Sequence, residues 1–254
     1  MDVRTYKKIY SVLDSSNIKS VSRDFCIGEG VLSSILNQKM IRSNKALYHI
    51  VAKKADVLLE RWEDGESFVS LSNETGLSPV LVAIILLKHS GITKKETKKM
   101  LRNPNTVKDK RLGRELSEVV ENDNLFSPHA HSLQVERAKM GEDAIKNWLL
   151  EKGVVFLTEE EIKKRGDLKT PDFLLKSSLK IDGLEINWID SKELFGDEVE
   201  HRRLLKKQFS EYIELFGPGL AVYWYGFVDS IVEEEPGVLI KDNTHFGVDN
   251  VQYI

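Results

Sequence analysis

Thr170-Pro171-Asp172-Phe173 opens one short apolar run, and Asp190-Ser191-Lys192 closes the next, which extends from Leu184 to Ser191. No other feature constrains the fold as much. Pro171 lacks an N–H, which suits the first position of a strand. Residues i and i+2 of a strand point to one face, so Asp190 and Lys192 project together. If the two runs are neighbouring strands, two carboxylates and one ammonium group meet at a sheet end. Such a set can hold a divalent cation against a phosphodiester. In a chain that is 30% charged, an Asp-x-Lys by itself reads as a surface pair. Its place at the tip of an apolar strand is what gives it weight.

The pattern around this pair is α/β. A long helix is expected from Ser132 to Lys152, with Val135, Met140, Ile145, Trp148 and Leu149 at helical spacing. Gly153 is placed to stop it. Val154 to Leu157, Phe173 to Leu175 and Leu184 to Ser191 read as strands, with a charged helix from Glu159 to Arg165. A helix from Glu198 to Phe216 ends at Gly217-Pro218-Gly219. An aromatic-rich fourth strand follows from Leu220 to Val228, then an edge strand from Gly237 to Ile240.

The first 100 residues read as short helices. Ile27, Val31, Leu32, Ile35 and Leu36 form one apolar pattern, and Leu77, Val80, Leu81, Ile84 and Ile85 form another about fifty residues later. Each follows a short amphipathic segment and a glycine-containing turn, at Gly28 and Gly76. This predicts tandem helix-turn-helix units, whose second helices can enter a major groove; a plain helical bundle has the same pattern. The expected division is residues 1–50 and 51–110 as the two units, 111–130 as a linker, and 131–254 as the α/β domain. The expected class is therefore α+β overall, with an all-α N-terminal half.

Charge follows the same division. Residues 1–110 carry 19 Lys+Arg against 12 Asp+Glu, net +7, while residues 111–254 carry 18 against 28, net −10. A basic half for nucleic acid beside an acidic half for metal fits that split. Thr93 to Lys99 and Lys108 to Arg111 are basic stretches suited either to gripping phosphates or to solvation. The single cysteine, Cys26, excludes an internal disulfide framework and suits a reducing compartment; its apolar neighbours predict a small core residue. No apolar run is long enough for a membrane span, and MDVRTYKKIY lacks a secretory h-region. An intracellular protein is expected, cytoplasmic in a prokaryote and nuclear or cytoplasmic in a eukaryote.

Further candidates surround the acid pair. Glu142 on the long helix offers a third carboxylate, with Glu136 and Asp143 as rivals. Gln208 and Tyr212 lie four apart on one helical face. They suit orienting a ligand, a water or a phosphate; Tyr212 also suits a core aromatic with its hydroxyl at the rim. His129-Ala130-His131 can be read as a metal pair but is expected to be loop polarity, and His201, near enough to contact substrate, is expected to be a solvated helix residue. The run Tyr223-Trp224-Tyr225 suits a core strand more than base stacking.

Together, Glu142, Pro171-Asp172, Asp190-x-Lys192 and Gln208-x-x-x-Tyr212 resemble the PD-(D/E)xK nuclease superfamily. Residues 141–153 are similar to the first helix of archaeal Holliday-junction resolvases, and the Gln-x-x-x-Tyr element to one in RecB-type nucleases. More closely, Lys169 to Phe173, Trp188 to Lys192, Phe195-Gly196-Asp197-Glu198, and Phe216 to Leu220 through Tyr223 to Phe227 resemble the codanin-interacting nuclease family, also called the TPD-motif family. Some members of that family carry Glu where this chain has Asp190. The resemblance covers nearly the whole chain. It implies a restriction-endonuclease-like domain with a central mixed sheet. It also implies a divalent-metal-dependent endonuclease using Mg²⁺ or Mn²⁺, with Glu142, Asp172, Asp190 and the Ser191 carbonyl at the metal and Lys192, Gln208 and Tyr212 completing the catalytic set. Nucleic acid, most simply structured or branched DNA, is the expected partner. A homodimer and a protein partner are also expected. An RNA-processing nuclease and a non-catalytic adaptor with a nuclease-like docking domain are the rival readings.

Overall fold

The computed structural model describes residues 1–166, 169–232 and 235–247. The helices are α1 (Val3–Val12), α2 (Ile18–Phe25), α3 (Glu29–Ala52), α4 (Ala55–Glu63), α5 (Phe68–Thr75), α6 (Pro79–His89), α7 (Lys94–Arg102), α8 (Lys110–Glu121) and α9 (Pro128–Glu151). Then come β1 (Phe156–Thr158), α10 (Glu159–Lys164), β2 (Phe173–Ile181), β3 (Leu184–Lys192), α11 (Glu198–Leu204), α12 (Ser210–Phe216), β4 (Gly219–Tyr223) and β5 (Val238–Lys241). The expected α+β class holds: helices fill the N-terminal half, and one five-stranded mixed sheet lies in the C-terminal part.

The strands lie in sequence order, β1-β2-β3-β4-β5. β1, β2 and β3 pair antiparallel, while β3, β4 and β5 pair parallel. The antiparallel β2–β3 pair needs only the turn at Asp182-Gly183, both with positive φ. The parallel β3–β4 pair needs a crossover, which α11 and α12 supply. One face of the sheet packs on Ile145 and Leu149 of α9. The other packs on Leu204, Leu205, Phe209 and Tyr212, and on Ile9, Val21, Leu32 and Ile35 of the first three helices.

The chain forms two compact units, one from 1–36 with 136–254 and the other from 37–135. This differs from the four-part division expected from sequence, because α1, α2 and the start of α3 share a core with the sheet. Residues 111–130 do not behave as a linker: α8 buries Leu112, Leu116 and Val119 against Phe68, Leu71 and Leu86 of the helical unit.

Helix, left-handed residue and helix do occur twice. Cys26 (φ 54°) ends α2 before α3, and Gly76 (φ 69°) ends α5 before α6. α5 and α6 bend by 113° at their break, within the helix-turn-helix range. Their second helices are nevertheless occupied. Val80, Val82, Ala83, Ile85, Leu86 and Leu87 of α6 are all buried, because a helix apolar all round must be enclosed. At the start of α3, Leu32, Ser34, Ile35 and Leu36 are buried, and Ser34 Oγ accepts the Phe195 N–H at 2.8 Å.

Other elements differ in detail. Cys26 is exposed, not core, because it caps a helix at the surface. His129 and His131 lie in the first turn of α9, not in a loop, since Ser127 Oγ caps that helix through the Ala130 N–H. On α9 the buried side runs through Gly141, Ile145 and Leu149, while Val135 and Met140 are exposed. A Cβ at Gly141 would stand 2.4 Å from Trp224 Nε1, so glycine is what lets α9 approach the sheet. β4 ends at Tyr223, and Trp224 and Tyr225 turn out of the strand. Among the described residues no single helix is long and apolar enough to cross a membrane.

Candidate active site

The β2–β3 ladder pairs Phe173 with Ile189 and Leu174 with Trp188. Continued by one residue, this register sets Asp172 opposite Asp190. The Ser191 N–H donates to Asp172 Oδ2 at 2.7 Å, which fixes that carboxylate across the strand end. Asp190 is 2% exposed. Its Oδ2 forms an ion pair with Lys192 Nζ but receives no hydrogen bond of regular geometry. Lys192 also lies over the Phe209 ring, 5.8 Å from its centroid. Ala221, fully buried, stands beside Asp190 in the parallel ladder.

Burial dominates the electrostatics. It pushes the Asp172 carboxyl up to about 8, with the Asp190 charge adding to the shift and Lys192 and the Ser191 N–H opposing it. Asp190 is also raised by burial, against the pull of Lys192. Glu142 is raised by burial first, then by Glu159, Asp143 and Asp190. Glu142 therefore lies within the field of the acid pair. Among the described residues no three His, Cys, Asp or Glu side chains gather into a ready-made metal cage. The core of the site is thus a two-carboxylate pair with Lys192, and Glu142 stands further out.

The loop bearing Asp172 is held from two sides. Tyr212, 3% exposed, donates its O–H to the Thr170 carbonyl at 2.8 Å. Lys169 Nζ pairs with Glu211 at 3.0 Å. On the other side, Thr170 Oγ1 donates to Glu159 Oε1 at 3.2 Å, and the Glu159 N–H donates to the Asp172 carbonyl at 3.1 Å. Tyr212 thus acts on Asp172 through the backbone.

Residues 205–209 between α11 and α12 are a π-helical segment, not the regular helix expected over Glu198 to Phe216. Such widened turns recur at functional sites. Gln208 sits on it with its Oε1 buried and without a hydrogen-bond partner, and it makes no hydrogen bond to Asp172, Asp190 or Lys192. Ser191 Oγ accepts the Trp224 indole N–H at 2.7 Å.

The chief correction concerns His201. It is 1% exposed, not solvated, and its Nδ1 meets the Tyr223 hydroxyl at 2.8 Å. Tyr223 pairs with Lys192 in the β3–β4 ladder, and burial, then the Asp190 charge, holds its phenol well above the usual range. Asp197, also 1% exposed, caps α11 through the Glu200 N–H and accepts the Tyr6 hydroxyl at 2.6 Å. Sequence reasoning read His201 as a substrate contact or a solvated residue and Tyr223 as a core or stacking aromatic, and it assigned no role to Asp197 or Glu159. The signal for His201 was its helical spacing with Leu204, Leu205 and Phe209.

A family model described as "Protein of unknown function TPD sequence-motif" matches residues 108–244. The chain is 33% identical over 234 residues to "CDAN1-interacting nuclease 1" of Xenopus laevis, spanning 85% of this chain and 77% of that one. It is 33% identical over 218 residues to the Bos taurus protein of the same name, covering 80% and 77%. To the Homo sapiens protein it is 32% identical over 219 residues, covering 80% and 78%. No solved structure matches the chain.

Proposed function

The chain belongs to the TPD sequence-motif family, and on that premise we propose that it is a divalent-metal-dependent nuclease that hydrolyses phosphodiester bonds in structured or branched DNA. The observation that carries this reading is the pairing of Asp172 and Asp190 across one strand end, with Lys192 on the same face. The curated relatives are named nucleases.

The donor set fits a hard cation. Mg²⁺ and Mn²⁺ prefer carboxylate and carbonyl oxygens, and two buried carboxyls with raised pKa values gain most from a counter-ion. Asp172, Asp190 and the Ser191 carbonyl would hold the ion, with Glu142 acting through water. A bound ion would supply Lewis acidity and a water of lowered pKa. Lys192 would orient the attacking water and offset charge gathering on the phosphoryl oxygens. Gln208 would turn its amide towards the substrate backbone, and Tyr212 would hold the Asp172 loop in register.

The test is cleavage of duplex, single-stranded, flap and four-way-junction DNA and of RNA, in Mg²⁺, Mn²⁺ or EDTA. Metal-dependent cutting that favours branched DNA and disappears in Asp190→Asn is expected. Preferential cutting of RNA would make the protein an RNA-processing nuclease. A second reading is favoured by the lack of a ready-made three-ligand cage among the described residues. It is a non-catalytic adaptor docking a protein partner of the kind that the relatives' name states. An absence of cutting, with no Mn²⁺-dependent rise in melting temperature, would support it.

A further inference from the structure

We infer that α7 is the nucleic-acid-holding face of the helical unit, and that it grips phosphates without reading bases. This rests on the nuclease reading above and moves the contact away from the two helices that the turn pattern nominated. Six of the eleven residues of α6 are buried, leaving only Lys88 and His89 exposed at its end, and the start of α3 is spent on packing and on the Phe195 N–H. Neither presents a stripe of exposed cations to a groove.

α7 presents the opposite character. Thr97 and Leu101 are its buried positions. Lys95, Lys98, Lys99 and Arg102, at i, i+3, i+4 and i+7, are all exposed and form a stripe on the other side. The stripe is roughly 10 Å long at the helical rise. α7 packs beside α6 and α8, and residues 88–114 hold 10 Lys+Arg against 2 Asp+Glu.

Seven of the twelve acids between residues 37 and 135 are committed elsewhere. Glu66 and Glu74 hold Arg61. Glu115 takes Arg111 and the Trp62 indole N–H. Asp56 meets His89. Glu96 closes the capping box with Thr93, and Asp109 caps α8. Asp123 is buried on Ser78 and on the backbone of Val80, Leu125 and Phe126. Among the described residues none of the four stripe cations has an ion-pair partner. Four uncompensated cations on one helix face repel one another, and a polyanion relieves that repulsion while its counter-ions are released.

The experiment measures affinity of the full chain for a fluorescent four-way junction and a duplex, in EDTA, across a salt series. The quadruple variant K95Q/K98Q/K99Q/R102Q should bind at least tenfold more weakly at low salt. Its log K against log salt slope should flatten by about 3 to 4, near 0.9 per lost phosphate contact. Its melting temperature should not change, because the four side chains are exposed. The charge-preserving K95R/K98R/K99R should bind as the native chain does. Equal affinity and slope in the quadruple variant would overturn the assignment and leave the nuclease reading standing, as would metal-dependent cutting by a native chain that shows no binding in EDTA. Native protein that neither binds nor cuts would remove both. Loss of binding to anionic lipid vesicles alone, with DNA binding unchanged, would make the stripe a membrane-surface contact and overturn the assignment.

Discussion

The Tyr212 hydroxyl donates to the Thr170 carbonyl at 2.8 Å and so ties α12 to the loop that ends in Asp172. Tyr212 lies 42 positions from Thr170 in sequence, and through it sets where a candidate metal ligand stands. Tyr212→Phe removes that donor and little volume. It should cost about 1 kcal/mol, or a fall of about 2–4 °C in Tm. It should also lower kcat about ten- to hundredfold through misplacement of Asp172, with KM nearly unchanged. Steady-state kinetics on a branched substrate checks this, and a change confined to KM would refute the positioning role.

The metal-free protein should lose stability as pH rises. The folded Asp172 carboxyl titrates at about 8 instead of 3.8, so its ionised form is disfavoured in the fold. The stability linked to its proton is complete below about pH 4 and is lost as pH climbs through about 8. Melting in EDTA across that window should show a falling Tm. Asp172→Asn should flatten the fall and melt higher than the native chain at the alkaline end. Parallel profiles for the two proteins would rule out Asp172 as the source. Metal affinity should rise over the same window, because binding displaces the proton.

Gly219 has no substitute in this fold. A Cβ there would stand 2.0 Å from Trp188 Cε2, and that indole is fully buried and donates to the Gly217 carbonyl at 2.9 Å. Gly219→Ala must displace the ring, at about 1–3 kcal/mol or more. Because Trp188 lies two residues before Asp190 on the same strand face, activity should fall with it. Urea denaturation and near-UV circular dichroism report the two effects; a native-like Trp188 signal with native stability would contradict the packing argument.

Glu142→Gln separates an outer carboxylate from a structural one. The carboxyl is raised by burial and by neighbouring acids, so removing its charge should leave stability unchanged or slightly higher. Metal affinity should fall about 10–100-fold, as for a group acting behind the ligands. Isothermal titration with Mn²⁺ measures it, and native affinity would take Glu142 out of the site.

Local patterning alone was enough for the pieces. Strand alternation put Asp190 and Lys192 on one face, Pro171 marked the start of β2, and helical spacing with Gly217 and Pro218 marked the end of α12. Each of these depends on residues a few positions apart, so periodicity and turn chemistry suffice. Tertiary structure alone decided which pieces meet. It paired β3 with β4 so that Tyr223 lies beside Lys192, and buried His201 against Tyr223. It also set the start of α3 against Phe195, enclosed α6, and opened a π turn under Gln208. Those outcomes depend on which distant apolar faces cover one another, and a helix carries the same pattern whether its charged side meets solvent, a phosphate or another helix.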